Sequence, residues 1–370
     1  MPVRAILPSF SALTAFTRLG PPHPLLAFLR SAGDRLRPPR PVPHLSAWTR
    51  ARDEALERRS AGPRQLSLLL SERSGGGLPT IVLGGFVPDS TEQVLMLRGF
   101  FLRKGSVYYF NYPRGGFSLE LLCAQLDDLV SELGFRHGQR PVIFSASFGG
   151  GVVLEWLRRV RAEGRTPGVA GLVFVSPVAC VGDILGKADA RPSTLLGRAL
   201  KPCLDAGGRR DAEVMEKSRA IFSRMFEAGA QNKASLRALM SGSELLRLRE
   251  AVLGAIRSID VEGAYERVQA LRDMHGLPDR GDGNARPLCA SPTLVLYAER
   301  EGAVIAEGSP TREGFQSAGR GLFPDCECRV VSGGETPVQH ASLIFHVFQF
   351  LPPIAAFYRR VKTRGLPLAA

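Results

Sequence analysis

From residue 65 onward, short apolar runs rich in β-branched residues alternate with amphipathic stretches of helical length. The runs are Leu66–Ser71, Thr80–Leu83, Val107–Asn111, Val142–Phe144, Leu172–Val175, Thr293–Tyr297 and Arg329–Val331. Between them lie stretches such as Leu119–Leu133 and Val152–Arg161, apolar at helical spacing. Most of these runs are apolar throughout instead of at every second position, which fits a sheet buried on both faces. Strands alternating with helices predict an α/β fold, a mostly parallel sheet flanked by helices. A chain of 370 residues with 44% hydrophobic and 22% charged residues can bury such a core, which excludes disordered and collagen-like classes. No apolar run reaches the roughly 18–20 residues that a membrane span requires.

One interval breaks the rhythm. Between Pro177 and Ala290 no strand is predicted, whereas Val214, Met215, Ile221, Phe222, Met225 and Phe226 recur at helical spacing. Leu245, Leu246, Val252, Leu253, Ile256 and Ile259 do the same, and the Gly-, Pro- and Asp-rich stretch Pro278–Ser291 leads back to the sheet. Helices inserted between two parallel strands sit at the strands' carboxyl edge, where open α/β sheets bind ligands. The expected organisation is therefore a basic extension over 1–64, a core over 65–176 and 291–370, and a helical cap over 177–290.

The net charge of +13 raises the question of nucleic acid or an anionic surface. Residues 1–64 carry 11 arginines, no lysine and 4 acids. No zinc-finger spacing, RNP-like run or basic zipper accompanies that charge, so no specific nucleic-acid partner is expected. Peripheral contact of the extension with an anionic membrane is the sharper alternative to packing of Leu25–Leu29 and Trp48–Leu56 against the domain. Arg18, Pro21, Pro22 and Pro24 follow the apolar start too closely for an export signal, and the six cysteines have no disulfide-framework spacing. A cytoplasmic chain, peripheral to a membrane at most, is the expectation.

The chemistry-bearing stretch is Val142-Ile143-Phe144-Ser145-Ala146-Ser147-Phe148-Gly149-Gly150-Gly151. A nucleophile on a tight strand-to-helix turn needs small residues two before and two after it, and Ser145 and Gly149 meet that demand around Ser147. The helix start behind Ser147 offers oriented N–H groups suited to an oxyanion. A glycine-rich contact between helix and sheet would produce the same pattern. Thr80–Leu83 runs into Gly84-Gly85-Phe86, Val107–Asn111 into Tyr112-Pro113-Arg114-Gly115-Gly116-Phe117-Ser118, and Thr293–Tyr297 into a loop with Glu299 and Glu301. Asp89 and Glu92 have capping-box spacing for a helix reaching Leu102, and Phe100, Phe101, Tyr108 and Tyr109 read as core. No Lys-Ser or Lys-Thr follows the glycines and no metal constellation stands out, so no cofactor or metal is expected.

In these stretches the chain resembles the α/β-hydrolase superfamily, over most of residues 65–360. Ser145 to Gly149 is similar to the family's nucleophile elbow and Gly84-Gly85-Phe86 to its oxyanion loop. Arg114-Gly115-Gly116-Phe117-Ser118 is similar to its R-G-x-G-x-S turn, with Phe117 where glycine is usual. The resemblance implies Ser147 as nucleophile, His340 as general base, Glu301 as the acid, and the backbone N–H groups of Phe86 and Phe148 as the oxyanion hole. Asp183 and Glu299 are alternative acids, and His346 reads as a structural residue within the helix after His340. The implied activity is cleavage of a carboxylic ester or thioester with a hydrophobic group, through an acyl-enzyme on Ser147. An acyltransferase using the same triad and an inactive binding protein are the alternatives.

Overall fold

The computed structural model describes residues 41–44, 54, 66–186, 192–205, 210–230, 240–277, 287–317, 319–333 and 336–364. Of the extension over 1–64 only 41–44 and Glu54 are described, and Val42–Pro43 pairs with the sheet instead of standing apart from the core; Leu25–Leu29 and all of Trp48–Leu56 but Glu54 lie outside the described residues. Among the described residues no helix is long and apolar enough to cross a membrane.

One sheet holds eight strands in the order β1-β2-β4-β3-β5-β6-β7-β8. They are β1 (Val42–Pro43), β2 (Leu68–Gly77), β3 (Thr80–Leu83), β4 (Gly105–Asn111), β5 (Val142–Ala146), β6 (Gly171–Val175), β7 (Thr293–Ala298) and β8 (Cys326–Val331). The pairs β1–β2 and β2–β4 are antiparallel and every other pair is parallel. The helices that bear on the site are α1 (Ser90–Gln93), α2 (Leu119–His137), α3 (Phe148–Ala162), α4 (Leu195–Asp205), α5 (Ala212–Gly229), α6 (Gly242–Ser258), α7 (Val261–Asp273) and α8 (Val347–Arg364).

The continuous apolar runs become central strands because both sheet faces are covered. Ile81, Ile143, Leu172 and Phe174 pack with Leu122, Leu126, Val152 and Leu157 of α2 and α3. Val82, Phe144, Val173 and Leu296 point the other way, onto Phe350, Ile354 and Tyr358 of α8. Phe100, Phe101, Tyr108 and Tyr109 are buried, as expected.

Local expectations fail in two places. The strand expected at Leu66–Ser71 starts later and runs on to Gly77 through residues of low β propensity. The β4 ladder pairs Glu72 and Gly77 with an irregularity between them, where Ser74 N–H donates to Ser106 Oγ and Ser74 Oγ to Leu102 O, and Glu72 is held by Arg98 and by Tyr109 Oη, 2.8 Å away. The helix expected from Asp89 to Leu102 is two short ones, Ser90–Gln93 and Arg98–Leu102, and Asp89 makes no side-chain cap. Its carboxylate is taken by Arg114 instead.

Between β6 and β7 the described residues form helices and no strand. Their starts follow from capping chemistry: Asp211 accepts from Glu213 N–H, Ser241 and Glu244 form a capping box, and Asp260 accepts from Gly263 N–H. The apolar faces of α4, α5 and α6 lie over the carboxyl ends of the parallel strands, beside Ser147.

Candidate active site

Ser147 sits between β5 and α3 with φ 49° and ψ −121°, a conformation that costs a non-glycine residue of order 1–3 kcal/mol. The neighbouring sequence makes that turn feasible. A Cβ on Gly149 would stand 2.5 Å from the carbonyl oxygens of Leu83 and Gly84, so only glycine lets α3 pass so near β3. Ser145, the small residue two before Ser147, is accommodated because its Oγ donates to Val173 O at 3.1 Å within the sheet. Phe117 fills its unusual place by packing on the rings of Phe148 and Tyr112.

The structure brings Ser147, His340 and Glu301 into one hydrogen-bonded chain. His340 Nε2 is 2.9 Å from Ser147 Oγ, and His340 Nδ1 is 2.5 Å from Glu301 Oε2. The carboxylate of Glu301 is 3% exposed, and its Oε1 accepts from Ser176 Oγ at 2.6 Å and from Ala298 N–H at 2.7 Å. These donors fix the carboxylate so that Oε2 alone faces the imidazole. With Nδ1–H donated to Glu301, Nε2 is the acceptor for the serine proton.

The other two acids are placed elsewhere. Asp183 is fully buried with both oxygens occupied, accepting from Ala179 N–H, Cys180 N–H, Ser309 Oγ and Thr311 N–H. Glu299 accepts from Gly333 N–H and Val338 N–H, which pulls its pKa below the ordinary value. His346 lies one residue before α8 instead of within it, because the turn after His340 delays the helix; its Nδ1 is 2.9 Å from Ser342 Oγ and burial lowers its pKa. Among the described residues no group of three or more His, Cys, Asp or Glu is placed to hold a metal.

Phe148 is the first residue of α3, so its N–H has no carbonyl a turn earlier to bond. Phe86 belongs to the loop after β3, whose neighbouring polar groups are occupied. Gly84 N–H donates to Ser90 Oγ and Gly85 N–H to Gln93 Oε1, each at 2.8 Å, and Tyr112 Oη donates to Gly84 O at 2.9 Å. Among the described residues nothing accepts from Phe86 N–H.

Arg267 of α7 completes the loop's support. It is 1% exposed and donates from Nη1 to Phe86 O and from Nη2 to Pro113 O, both at 2.7 Å. Burial, with Arg114 nearby, pushes its pKa down to about 10, so it remains charged at neutral pH. Ser90, Gln93, Ser176 and Arg267 escaped the sequence reading. Arg267 alone left a trace, a charged residue on the same helical face as Ala264, Val268 and Leu271.

A cavity of about 470 Å³ opens onto Ser147 and His340. Its walls are mostly apolar: Leu195 of α4, Ile221, Phe222 and Met225 of α5, Val252 and Ile256 of α6, and Leu343 to Phe345 from the loop after His340. A larger groove of about 670 Å³ runs past Glu299, Arg300 and Glu307 on the other side of the Glu301 loop, but neither Ser147 nor His340 lines it.

Beside this site Glu92 is largely buried, and burial followed by repulsion from Asp89 raises its pKa to about 7. A carboxyl that binds its proton more tightly when folded stabilises the fold below the unfolded value near 4.5 and loses that advantage as pH rises through 7. Wild-type melting temperature should therefore fall between pH 5 and pH 8 relative to Glu92→Gln, measured by calorimetry at each pH. Parallel pH curves for the two proteins would contradict it.

No family model matches this sequence, and no curated protein does. Solved structures do match in fold. An esterase from Thermogutta terrifontis superposes with TM-score 0.51 at 18% identity, covering 80% of this chain and 94% of its own. An esterase from Rhodococcus gives TM-score 0.50 at 16% identity, covering 80% and 96%. An epoxide hydrolase from Bacillus megaterium gives 0.53 at 12% identity, covering 80% and 97%.

Proposed function

The chain has the α/β-hydrolase fold, and we propose that it is a serine hydrolase cleaving a carboxylic ester or thioester with an apolar acyl or alcohol part. The observation that carries this reading is the hydrogen-bonded series Ser147–His340–Glu301 at the floor of an apolar cavity. The esterases among its structural neighbours agree with it at the level of the fold.

The geometry supports a two-step reaction. Ser147 Oγ attacks the carbonyl carbon as His340 Nε2 takes its proton, and the carbonyl electrons move to oxygen beside Phe86 N–H and Phe148 N–H. Collapse of this tetrahedral species breaks the bond to the alcohol or thiol, which leaves with the proton from His340. Water, deprotonated by His340, then attacks the acyl carbon; the acid departs and Ser147 regains its proton. Glu301 holds the imidazole in the required tautomer and balances the imidazolium in each step. The apolar walls bind hydrocarbon, so the reading favours esters with an aliphatic or aromatic group over charged ones.

The test is acyl trapping. The protein is mixed with short- to long-chain nitrophenyl esters and with matched thioesters, quenched in acid and digested. We expect a product burst and an acyl mass on the peptide containing Ser147. A folded protein that gives neither burst nor adduct with any member would overturn the reading in favour of a binding protein. Transfer of the acyl group to an added alcohol in preference to water would replace it with an acyltransferase.

A further inference from the structure

Four hydrogen-bonding groups of the loop after β3 are satisfied from the side, and one of the residues doing so has a second, unspent end. Gln93, at the end of α1, is 5% exposed and accepts from Gly85 N–H through Oε1 at 2.8 Å. A backbone N–H can only be met by an acceptor, so the donor is the fixed identity of the other terminus: Nε2 carries two hydrogens there. Among the described residues nothing accepts from it. Gln93 also lines the cavity that holds Ser147 and His340.

The empty space beside Gly85 locates that amide. A Cβ built on Gly85 would stand 3.3 Å from Ser147 Cβ and 3.8 Å from Gln93 Nε2. The nucleophile and the unspent amide therefore flank the same glycine, with the Val87 carbonyl oxygen 3.7 Å from the same point. The amide opens onto the cavity with no acceptor among the described residues, so a bound ligand can supply the partner.

Resting on the serine-hydrolase reading, we propose that Gln93 Nε2 is a third donor to the substrate carbonyl oxygen, alongside Phe86 N–H and Phe148 N–H. Its hydrogen bond strengthens as charge builds on that oxygen in the tetrahedral intermediate, so Gln93 is a catalytic residue as well as the clamp on Gly85. The two roles use opposite ends of one amide, and a single isosteric change separates them. Glutamate keeps the acceptor that Gly85 requires and replaces the donor with a carboxylate oxygen.

The experiment compares wild type with Gln93→Glu in the full-length protein. If the proposal holds, kcat for an ester falls by about 10²–10³-fold and KM changes by no more than a few-fold, in a variant that circular dichroism shows to be folded. Binding of an alkyl boronic acid, which makes a tetrahedral adduct on serine, weakens in parallel. Gln93→Glu with kcat within about threefold of an active wild type overturns the proposal alone, leaving Gln93 as a support for the loop. A folded wild type that neither hydrolyses esters nor binds the boronate overturns this proposal together with the reading it rests on. Should Gln93→Glu not fold, a crystal structure of the wild-type boronate adduct decides: Nε2 within about 3.2 Å of a boronate oxygen upholds the proposal, and a longer separation overturns it.

Discussion

Ser147→Ala is expected to abolish labelling by a fluorophosphonate probe and to cut ester hydrolysis by about 10⁴–10⁶-fold, with no loss of thermal stability. The hydroxyl makes one hydrogen bond, to His340, so its removal frees only His340 Nε2, which lines the cavity where water can meet it. The unusual backbone angles at residue 147 come from the turn and the glycines behind it, and alanine tolerates them as well as serine does. Comparing the labelled gel band with the melting curve of each protein checks both halves. Labelling that persists in Ser147→Ala would point to another nucleophile and remove the basis of the mechanism.

Glu301→Gln is expected to lower kcat by about 10³–10⁴-fold with little change in KM. Glutamine has the same shape, but one end is now a donor. Turned toward His340, the amide hydrogens face Nδ1 and force the imidazole proton onto Nε2, where it points at Ser147 and blocks proton transfer. Turned the other way, the amide meets Ala298 N–H, a donor facing a donor, and loosens the loop. Either arrangement slows acylation, so the rate of fluorophosphonate labelling reports the defect independently of any substrate. An unchanged labelling rate would show that the buried carboxylate serves the loop and not the histidine.

The parts of the site legible in the sequence share one property: each lies in a loop directly after a strand of the parallel sheet. Ser147, Glu301 and His340 follow β5, β7 and β8, and strand periodicity was strong enough to order those loops. Phe117 looks like a departure because a motif shows the usual residue and not the neighbours, Phe148 and Tyr112, that accommodate another one. The supporting residues were hidden for a different reason. Ser176 matters through a carboxylate 125 positions away, and Arg267 through carbonyls of the loops at Phe86 and Pro113, contacts that no local pattern encodes. Asp89 shows the converse, a correct local signal overridden by Arg114 across the fold. The antiparallel extension of β2 was equally invisible, since its partner strand and not its own composition keeps it extended.

The buried guanidinium of Arg267 also limits how molecules can come and go. Swinging α7 outward as a rigid flap would break both of its charged hydrogen bonds and hydrate their carbonyls. At about 1.5–3 kcal/mol for each bond, such a flap would stand ajar in only about one molecule in 10²–10⁴. The turn from Arg114 to Phe117 adds further stitching, through Asp260 N–H to Arg114 O and Phe117 N–H to Glu266. The α5 wall meets the cavity with the apolar side chains of Ile221, Phe222 and Met225, of which the unbranched Met225 adapts its rotamer most easily. The α5 face is thus the adjustable wall of the cavity, while α7, which does not line it, is tied to the loops behind.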